Sequence, residues 1–280
     1  MIEFAIECNV MRGLIMISSS SNAQIKNLTK LIQKAKARRE EGAFVVEGRK
    51  MFLEVPEDLV KSVYISESLI SDCPENIKKK LDILIGRNIS VETVADNVFK
   101  SVSDTVSPQG ILSVAAQPSY SLEQFLNTDA PLFMLLEDLQ DPGNLGTIMR
   151  TAEGAGVTAV IMSKGTVDLF NPKVTRSTMG AIFRVPFVYV EDLSEVVDKF
   201  HEKGIKTYAA HLMDSVDYVK CDYRGGTAFL VGNEGNGLTD ETAQLADTYV
   251  RIPMEGRVES LNAAVAAALL MYEWHRQRRE

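Results

Sequence analysis

The sequence predicts an α/β protein with two domains, and three observations support this fold class. Short apolar segments with strand character alternate with helical segments along the chain, which is typical of α/β units. One of them, PLFMLLEDL at 131–139, begins with an unbroken apolar run, as expected for a parallel strand that is buried on both faces. The length of 280 residues allows two domains, each with its own hydrophobic core.

Composition and charge exclude several classes of protein. No apolar run is long enough to cross a bilayer, so a membrane protein is not expected. The three cysteines and three histidines lack partners at the spacings of disulfide frameworks, zinc sites or catalytic triads, so we expect no metal site and a reducing cytoplasm. The net charge of −8 still allows an RNA partner, because the acidic excess lies within 118–280 and phosphates respond to local basic patches.

Residues 17–117 are predicted to form the first α/β domain. A polar cluster is expected to cap a helix from about Ala23 to Glu40. The further elements that we expect are strands at 43–46, 62–66, 89–94 and 111–116 and helices near 75–86 and 96–102. Residues 1–16 are predicted to be an N-terminal extension without the features of a secretion signal, and the turn-rich residues 118–130 are predicted to be a linker.

The first predicted helix carries a row of basic residues that has two interpretations. Such a row is either a solvated helix face or a surface that contacts the phosphates of RNA, and the residues alone leave both open. On the second interpretation, the residues that we expect to contact RNA are Lys26, Lys30, Lys34, Arg38 and Arg39, together with Arg49 after the first strand.

The second half, residues 131–280, is predicted to be the second α/β domain. After its first strand, DPGNLGTIMRTAEGAG is expected to form a turn and a helix that Asn144 caps and that ends at Gly154 and Gly156. The elements expected next are a strand at 157–163, a helix near 172–179, an apolar segment at 180–190, a helix at 193–203, strands at 206–210 and 226–231, a short helix at 239–246 and a strand at 248–252.

The loop at 232–237, with the sequence GNEGNG, is a candidate binding site. It directly follows an apolar strand, and open α/β sheets bind ligands at the carboxyl ends of their strands. Its glycines leave backbone N–H and C=O groups free to approach a ligand closely. The lysine of a Walker loop is absent and the GxGxxG pattern is not matched, so an ATPase or a dinucleotide-binding enzyme is disfavoured.

The segment at 252–273 is predicted to contain a strand end, a polar loop and the last helix, which Ser260 is expected to cap. The alanines between 263 and 268 would let another backbone approach this helix closely. Apolar residues at intervals of three and four are predicted to form one apolar face. They are Leu261, Val265, Leu269 and Tyr272.

Three segments together resemble the SpoU (TrmH-like) branch of the SPOUT RNA methyltransferases. NLGTIMRTAEGAG is similar to the first family motif, LVGNEGNGL to the second and IPMEGRVESLNAAVAAALLMYE to the third. Residues 17–117 are similar to the ribosomal-protein-like RNA-binding domain that precedes this catalytic domain in ribosomal RNA 2′-O-methyltransferases. The resemblance implies a mostly parallel sheet with a deep trefoil knot, S-adenosylmethionine (AdoMet) as cofactor, no metal, and a homodimer whose active site uses both subunits.

The resemblance also implies roles for residues at the motif positions. The polar residues expected to act in catalysis are Asn144, Arg150, Glu234, Ser260 and Asn262. The residues expected to contact the cofactor are Gly232, Asn233, Ile252, Met254 and Leu261. Valine and serine are common in the family where this chain has Ala263 and Ala264, and we expect this difference to change packing more than chemistry.

The leading hypothesis is AdoMet-dependent methylation of a ribose 2′-hydroxyl in RNA, with 23S ribosomal RNA as the expected substrate and tRNA as the alternative. A non-catalytic RNA-binding or ribosome assembly protein on the same scaffold is a second hypothesis. It is disfavoured because binding alone does not require the polar catalytic set. A different nucleotide-binding enzyme is a third, disfavoured by the missing phosphate-loop lysine.

Overall fold

The computed structural model describes residues 16–279, so the predicted N-terminal extension lies outside the described residues apart from Met16. The chain divides into two compact units. Among the described residues, the first contains 16–118 together with Phe170–Phe183, and the second contains Ser119–Leu169 and 184–279. None of the helices described in this range is both long and apolar enough to cross a membrane.

A four-stranded mixed sheet forms the centre of the first unit. Its strands are β1 (Ala43–Glu47), β2 (Val60–Ser66), β3 (Ser90–Val94) and β4 (Ile111–Ala116). In the order β1-β4-β2-β3, β4 is antiparallel to both of its neighbours, while β2 and β3 are parallel. The helices are α1 (Ala23–Gln33), α2 (Ala35–Glu41), α3 (Arg49–Glu54), α4 (Glu67–Ser71), α5 (Glu75–Gly86) and α6 (Asp96–Val102). The expected strands are confirmed, and α3 and α4 are additional.

The single helix expected over 23–40 is wrong, because it is interrupted at Lys34. Lys34 has extended backbone angles, with φ −122° and ψ 110°. The buried Arg38 side chain turns back to α1, where its Nη1 donates to the carbonyl oxygens of Leu31 at 2.8 Å and Ile32 at 3.0 Å. These bonds satisfy carbonyl groups that a helix end leaves without an intrahelical partner.

Phe170–Phe183 completes the core of the first unit, although it comes from the second half of the sequence. The fully buried Phe44 ring of β1 has its centroid 4.8 Å from that of Phe170 and 6.1 Å from that of Phe183. Aromatic rings at these separations attract each other in addition to burying apolar area. The segment is therefore part of this unit's core.

Charged groups attach the same segment to β1. Arg176 Nη2 lies 2.8 Å from Asp104 Oδ2, and its Nη1 lies 3.8 Å from Oε2 of the buried Glu47. The Glu47 carboxylate also accepts hydrogen bonds from the Asp104 backbone N–H at 3.1 Å and from Thr105 Oγ1 at 2.6 Å. Separation of this cluster is unfavourable, because it would leave a buried charge with fewer partners.

A seven-stranded sheet forms the second unit, and its neighbouring strands are parallel throughout. The strands are β5 (Leu132–Leu136), β6 (Ala159–Ser163), β7 (Phe187–Val190), β8 (Lys206–Ala210), β9 (Val216–Asp217), β10 (Thr227–Val231) and β11 (Thr248–Arg251). The helices of this half of the chain are α7 (Pro142–Ala155), α8 (Pro172–Ser177) within the segment assigned to the first unit, α9 (Leu193–Glu202), α10 (Asp240–Ala243) and α11 (Ala263–Gln277). The expected α/β class with a parallel sheet is confirmed.

The strand order positions the candidate site. In the order β7-β6-β5-β10-β8-β11-β9, β10 lies between β5 and β8, and β11 lies between β8 and β9. Strands β5 and β10 are buried along their whole length. Because the strands are parallel, the loops that follow β5, β10 and β11 begin at the same edge of the sheet. Residues 137–141, 232–238 and 252–262 are brought together in this way.

Candidate active site

The loop after β10 is closed on itself by backbone hydrogen bonds. Asn233 and Gly237 exchange two of them, with N to O distances of 3.0 and 2.9 Å. The Asn233 side chain accepts from the Gly235 N–H at 2.8 Å and donates to the Asp138 carbonyl, in the loop after β5, at 2.8 Å. Gly232 has no room for a side chain, because a Cβ there would lie 2.1 Å from the carbonyl carbon of Gly237. The glycines therefore allow a tight, preformed loop.

Side chains from the three motif segments form one hydrogen-bonded cluster. Glu234 Oε1 accepts from Asn144 Nδ2 at 2.9 Å and from the Asp141 backbone N–H at 2.8 Å, and its Oε2 accepts from the Gln140 backbone N–H at 3.0 Å. Asn144 Oδ1 in turn accepts from Asn262 Nδ2 at 2.9 Å, across 118 positions of sequence. We call Glu234, Asn144 and Asn262 the amide network. Three of the expected catalytic residues are thus connected by hydrogen bonds, with Asn144 in the middle.

The expected cap of α7 is wrong, because Asp141 and not Asn144 caps this helix. The Asp141 carboxylate accepts from the Asn144 backbone N–H at 2.8 Å, which places Asn144 in the first turn. Pro142 occupies the start of the helix, where its missing N–H costs nothing. The Asn144 side chain is therefore available to contact Glu234.

The expected cap of α11 is also wrong. Asn262 caps the helix, with Oδ1 accepting from the backbone N–H groups of Ala264 at 2.9 Å and Val265 at 3.3 Å. Ser260 lies in the exposed loop before it. Asn262 therefore links the amide network to the positive end of a helix.

Glu234 is the charged end of the amide network. Burial alone would raise the pKa of its carboxyl group, but the hydrogen bonds from Asn144 and from the backbone N–H groups of Gln140 and Asp141 together lower that pKa below its usual value. Donors that bond to a carboxylate stabilise its charged form. Glu234 is therefore ionised at neutral pH and is poorly suited to accept a proton.

A cavity of about 470 Å³ is lined by the loops after β10 and β11. Its volume lies in the range of small-molecule sites. All the residues expected to contact the cofactor line it, namely Gly232, Asn233, Ile252, Met254 and Leu261. Of the residues expected to act in catalysis, Glu234 and Ser260 also line it, whereas Asn144, Arg150 and Asn262 do not.

The loop after β8 contributes a part of the cavity wall that the motifs do not include. Its residues in the wall are His211, Leu212 and Met213. Leu212 and Met213 are 56% and 71% exposed, which is unusual for large apolar side chains. Their position directly after a strand of the central sheet is the signal that could have identified them.

Sequence reasoning also missed the loop after β5. The Asp138 carboxylate accepts from Ser163 Oγ at 2.6 Å, and the Glu137 carboxylate accepts from both the backbone N–H and the hydroxyl of Thr239 at 2.8 Å. These bonds connect the loop to β6 and to the cap of α10. The run of acidic and amide residues from 137 to 141, directly after a buried strand, was the available signal.

Arg150 lies apart from the amide network. Its side chain is exposed on α7, and it has no hydrogen bond or ion pair with the residues described between 16 and 279. Gly154 lies one helical turn further along the same face, and a Cβ there would be 3.1 Å from the hydroxyl of Tyr272 in α11. Arg150 thus shares a surface with the exposed side of α11.

The predicted apolar face of α11 is largely exposed. Val265, Leu269 and Tyr272 are 48%, 36% and 49% exposed. The helix instead buries another side, which includes Ala264, Ala267, Leu270 and Met271. The alanines allow α11 to pack closely within the unit, and an apolar surface remains next to Arg150.

Most of the basic residues expected to contact RNA are exposed, and one is not. The exposed ones are Lys26, Lys30, Lys34, Arg39 and Arg49. Arg38 is buried against α1, so its guanidinium is not presented as an RNA contact. Arg49 lines a cavity of about 390 Å³ in the first unit, together with Lys100 and Gln109, and its Nε donates to the Gln109 carbonyl at 3.1 Å.

Comparison with known proteins agrees with this arrangement. Residues 131–272 match the SpoU rRNA Methylase family, and residues 22–113 match the MRM3-like substrate binding domain. The chain belongs to the SpoU rRNA methylase family. The 23S rRNA (guanosine(2553)-2′-O)-methyltransferase of Bacillus subtilis is 34% identical over 91% of this chain and 97% of its own. The expected family and the RNA methyltransferase class are confirmed.

Solved structures of methyltransferases have the same fold. The AdoMet-bound rRNA methyltransferase from Sinorhizobium meliloti is 29% identical, with a TM-score of 0.83 over 94% of this chain and 97% of that one. The SpoU methyltransferase AviRb from Streptomyces viridochromogenes, in complex with AdoMet, is 27% identical, with a TM-score of 0.81 over 92% of this chain and 99% of that one. These structures confirm the expected methyl donor for the SpoU family.

Proposed function

We propose that this SpoU protein transfers the methyl group of AdoMet to a ribose 2′-hydroxyl of 23S ribosomal RNA in the cytoplasm. One observation carries the proposal: side chains from all three motif segments are hydrogen-bonded to one another next to a cavity lined by every residue expected to contact the cofactor. The name of the Bacillus subtilis relative supports the choice of 23S rRNA.

The cavity lining fits the proposed cofactor. Ile252, Met254 and Leu261 supply apolar surface for the adenosine part, and Gly232 and Asn233 bring backbone groups to the same wall. When bound, AdoMet supplies a methyl group on a positively charged sulfur, which is reactive toward an oxygen nucleophile. The loop after β10 is already ordered, so it can orient this methyl group without losing conformational freedom during the reaction.

We propose that Arg150 binds the phosphate next to the target ribose and stabilises the negative charge that develops on the 2′-oxygen. A guanidinium is not deprotonated in proteins, so Arg150 does not serve as the base. The neighbouring phosphate or another acceptor takes the proton of the hydroxyl. Asn144, Ser260 and Asn262 provide the other polar contacts to the substrate.

We propose a homodimer in which α11 of each subunit contacts the partner. The exposed Val265, Leu269 and Tyr272 support this assembly, because large apolar side chains grouped on one helix face are typical of interfaces. Arg150 lies on the same side, which supports an active site completed by both subunits. The trefoil knot and the division into a domain at 17–117, a linker at 118–130 and a methyltransferase domain at 131–280 remain part of this proposal.

In the RNA-binding domain, the residues that we propose to contact phosphates are Lys26, Lys30, Lys34, Arg39 and Arg49. Arg38 is not among them, because it is buried. Exposed cations in a row attract the RNA backbone irrespective of its sequence. The polar cavity around Arg49 supports a second contact region on the same domain. Filter binding at several salt concentrations measures these contacts, because each lost phosphate contact lowers the salt dependence of affinity.

The test is methyl transfer from radiolabelled AdoMet to 23S rRNA, followed by mapping of ribose methylation in cells with and without the protein. We expect one ribose to lose its methyl group when the protein is absent. A non-catalytic RNA-binding protein is the alternative. It predicts RNA binding without AdoMet binding by calorimetry and no change in any ribose.

A further inference from the structure

Two groups flank the side-chain amides of Asn144 and Asn262: the Glu234 carboxylate on one side and the backbone N–H groups of α11 on the other. These two groups determine the orientation of both amides. A carboxylate only accepts hydrogen bonds, and a backbone N–H only donates them. Asn262 Oδ1 must therefore face the N–H groups of α11, and Asn144 Nδ2 must face Glu234. Asn262 Nδ2 is then left to donate to Asn144 Oδ1. Turning either amide over would bring two donors or two acceptors together.

This arrangement leaves a defined pair of hydrogen-bond donors. Each amide nitrogen carries two hydrogens, and the network uses one on Asn144 and one on Asn262. The remaining two have no acceptor among residues 16–279. Asn262 is exposed and Asn144 half-buried, so a bound molecule can reach them. The oxygens of a ribose and its phosphates are acceptors that suit such donors.

We propose that Glu234 is a positioning residue that acts through the amide network, directing one N–H of Asn144 and one N–H of Asn262 toward ribose and phosphate oxygens of the RNA substrate. The inference rests on the proposed function. Glu234 itself does not touch the reacting atoms. Its carboxylate, already occupied by three donors, sets the direction of donors that lie up to two side chains away.

Two substitutions disrupt the network at opposite ends with little change in shape. Glu234→Gln keeps the size of the side chain but replaces an acceptor oxygen with a donor nitrogen. Asn262→Asp retains the cap of α11, because Asp and Asn cap helices equally well, but it cannot donate to Asn144. Glu241→Gln is the matched control, since it removes an exposed carboxylate from α10.

The kinetic test is a double-mutant cycle on methyl transfer to 23S rRNA. We expect each single substitution to lower kcat by about 10²-fold, as for the loss of a preorganised donor. The AdoMet Kd should not change in Asn262→Asp, because Asn262 does not line the cavity. The double variant should be little slower than the slower single variant, because both act through Asn144. Independent, multiplicative losses would overturn the proposal, as would a normal kcat in Glu234→Gln.

A second readout does not depend on activity. In protein labelled with ¹⁵N-asparagine, the side-chain amide signals of Asn262 are identified by their loss in Asn262→Asp. We expect Glu234→Gln to shift them although Glu234 and Asn262 are joined only through Asn144, and Glu241→Gln to leave them in place. Unshifted signals would overturn the network even in an active enzyme. Shifted signals with no methyl transfer by the unmodified protein would instead reject the proposed function.

Discussion

At the scale of single residues, Gly232 sets the shape of the loop after β10. A Cβ at this position would meet the backbone of Gly237, which no change of rotamer can relieve. Asn233 and Glu234, which follow directly, depend on this close approach for their contacts with the loop after β5. The position therefore controls both the cavity and the amide network.

We expect Gly232→Ala to destabilise the protein by about 1–3 kcal/mol, the usual cost of overpacking, and to weaken AdoMet binding measured by calorimetry at least tenfold. Gly225→Ala is the control, because a Cβ there would meet no atom within 4 Å and the residue does not line the cavity. Equal effects of the two substitutions would contradict this account.

Arg150→Lys keeps the positive charge but loses the planar fork that binds a phosphate with two hydrogen bonds. We expect kcat for rRNA methylation to fall about 10²-fold. The AdoMet Kd should not change, because Arg150 does not line the cavity. Arg279→Lys, exposed near the end of α11, is the control. Near-normal turnover of Arg150→Lys would show that the fork has no role.

Single-residue predictions from the sequence succeed where the residue type itself is unusual for its surroundings. A carboxylate among glycines pointed to Glu234, and it lies in the amide network. Local rules fail for Asn144 and Ser260, because a cap depends on which of several polar residues happens to precede the first turn. Contacts such as Glu234 with the backbone N–H of Gln140 join distant segments and leave no local trace.

At the scale of elements, the break between α1 and α2 separates two kinds of basic residue. Arg38 is used internally to bond carbonyl groups at the end of α1, and Arg39 next to it is exposed. The row of cations looks uniform in the sequence because no glycine or proline marks the break. Adjacent arginines therefore have different roles.

We expect Arg38→Ala to lower the free energy of unfolding by about 1.5–3 kcal/mol, as for hydrogen bonds made by a charged group. Arg39→Ala should leave stability within about 0.5 kcal/mol, as surface substitutions usually do, and weaken RNA binding. Urea unfolding and filter binding measure the two effects. If Arg38→Ala reduced RNA affinity without loss of stability, the internal role would be wrong.

Helix α11 shows the limit of periodicity. The spacing of three and four correctly identifies apolar residues on one face, but it does not reveal whether that face meets the core or a second copy of the chain. The alanine side is buried within the unit because small side chains permit closer packing. The predicted face remains exposed next to Arg150.

We expect Leu269→Asp to convert the proposed dimer to monomer in sedimentation velocity, because a carboxylate in an apolar interface loses its hydration without gaining a partner. The rate of methyl transfer should decrease as the dimeric fraction decreases, because the proposed active site uses both subunits. Arg279→Asp adds the same group outside the face and should leave the dimer intact. A fully dimeric Leu269→Asp would exclude this face as the interface.

At the scale of the whole molecule, the first unit is not a continuous piece of sequence. Composition indicates a boundary near 118–130, where turn residues accumulate. No such signal surrounds Phe170–Phe183, because its membership follows from packing against Phe44 and from the charges around Glu47. Patterns of neighbouring residues do not reveal contacts between positions that are far apart in the sequence.

We expect Arg176→Ala to destabilise the protein by about 1–3 kcal/mol in urea unfolding, because Glu47 would remain buried with one fewer partner. Lys173→Ala, exposed on the same short helix, is the control and should have little effect. A fragment that ends at Pro118 should melt at a lower temperature than the full chain. Equal melting temperatures would mean that Phe170–Phe183 is dispensable to the first unit.

The same segment affects the order of events during synthesis. Ribosomes release the N-terminal part of a chain first, and domains generally fold as units as they emerge. Here the N-terminal unit cannot close its core until Phe183 has left the exit tunnel, and the bond from Asn144 to Asn262 cannot form until Asn262 has emerged as well. The amide network, which we propose to act on ribosomal RNA, is thus assembled later in synthesis than the core of the first unit.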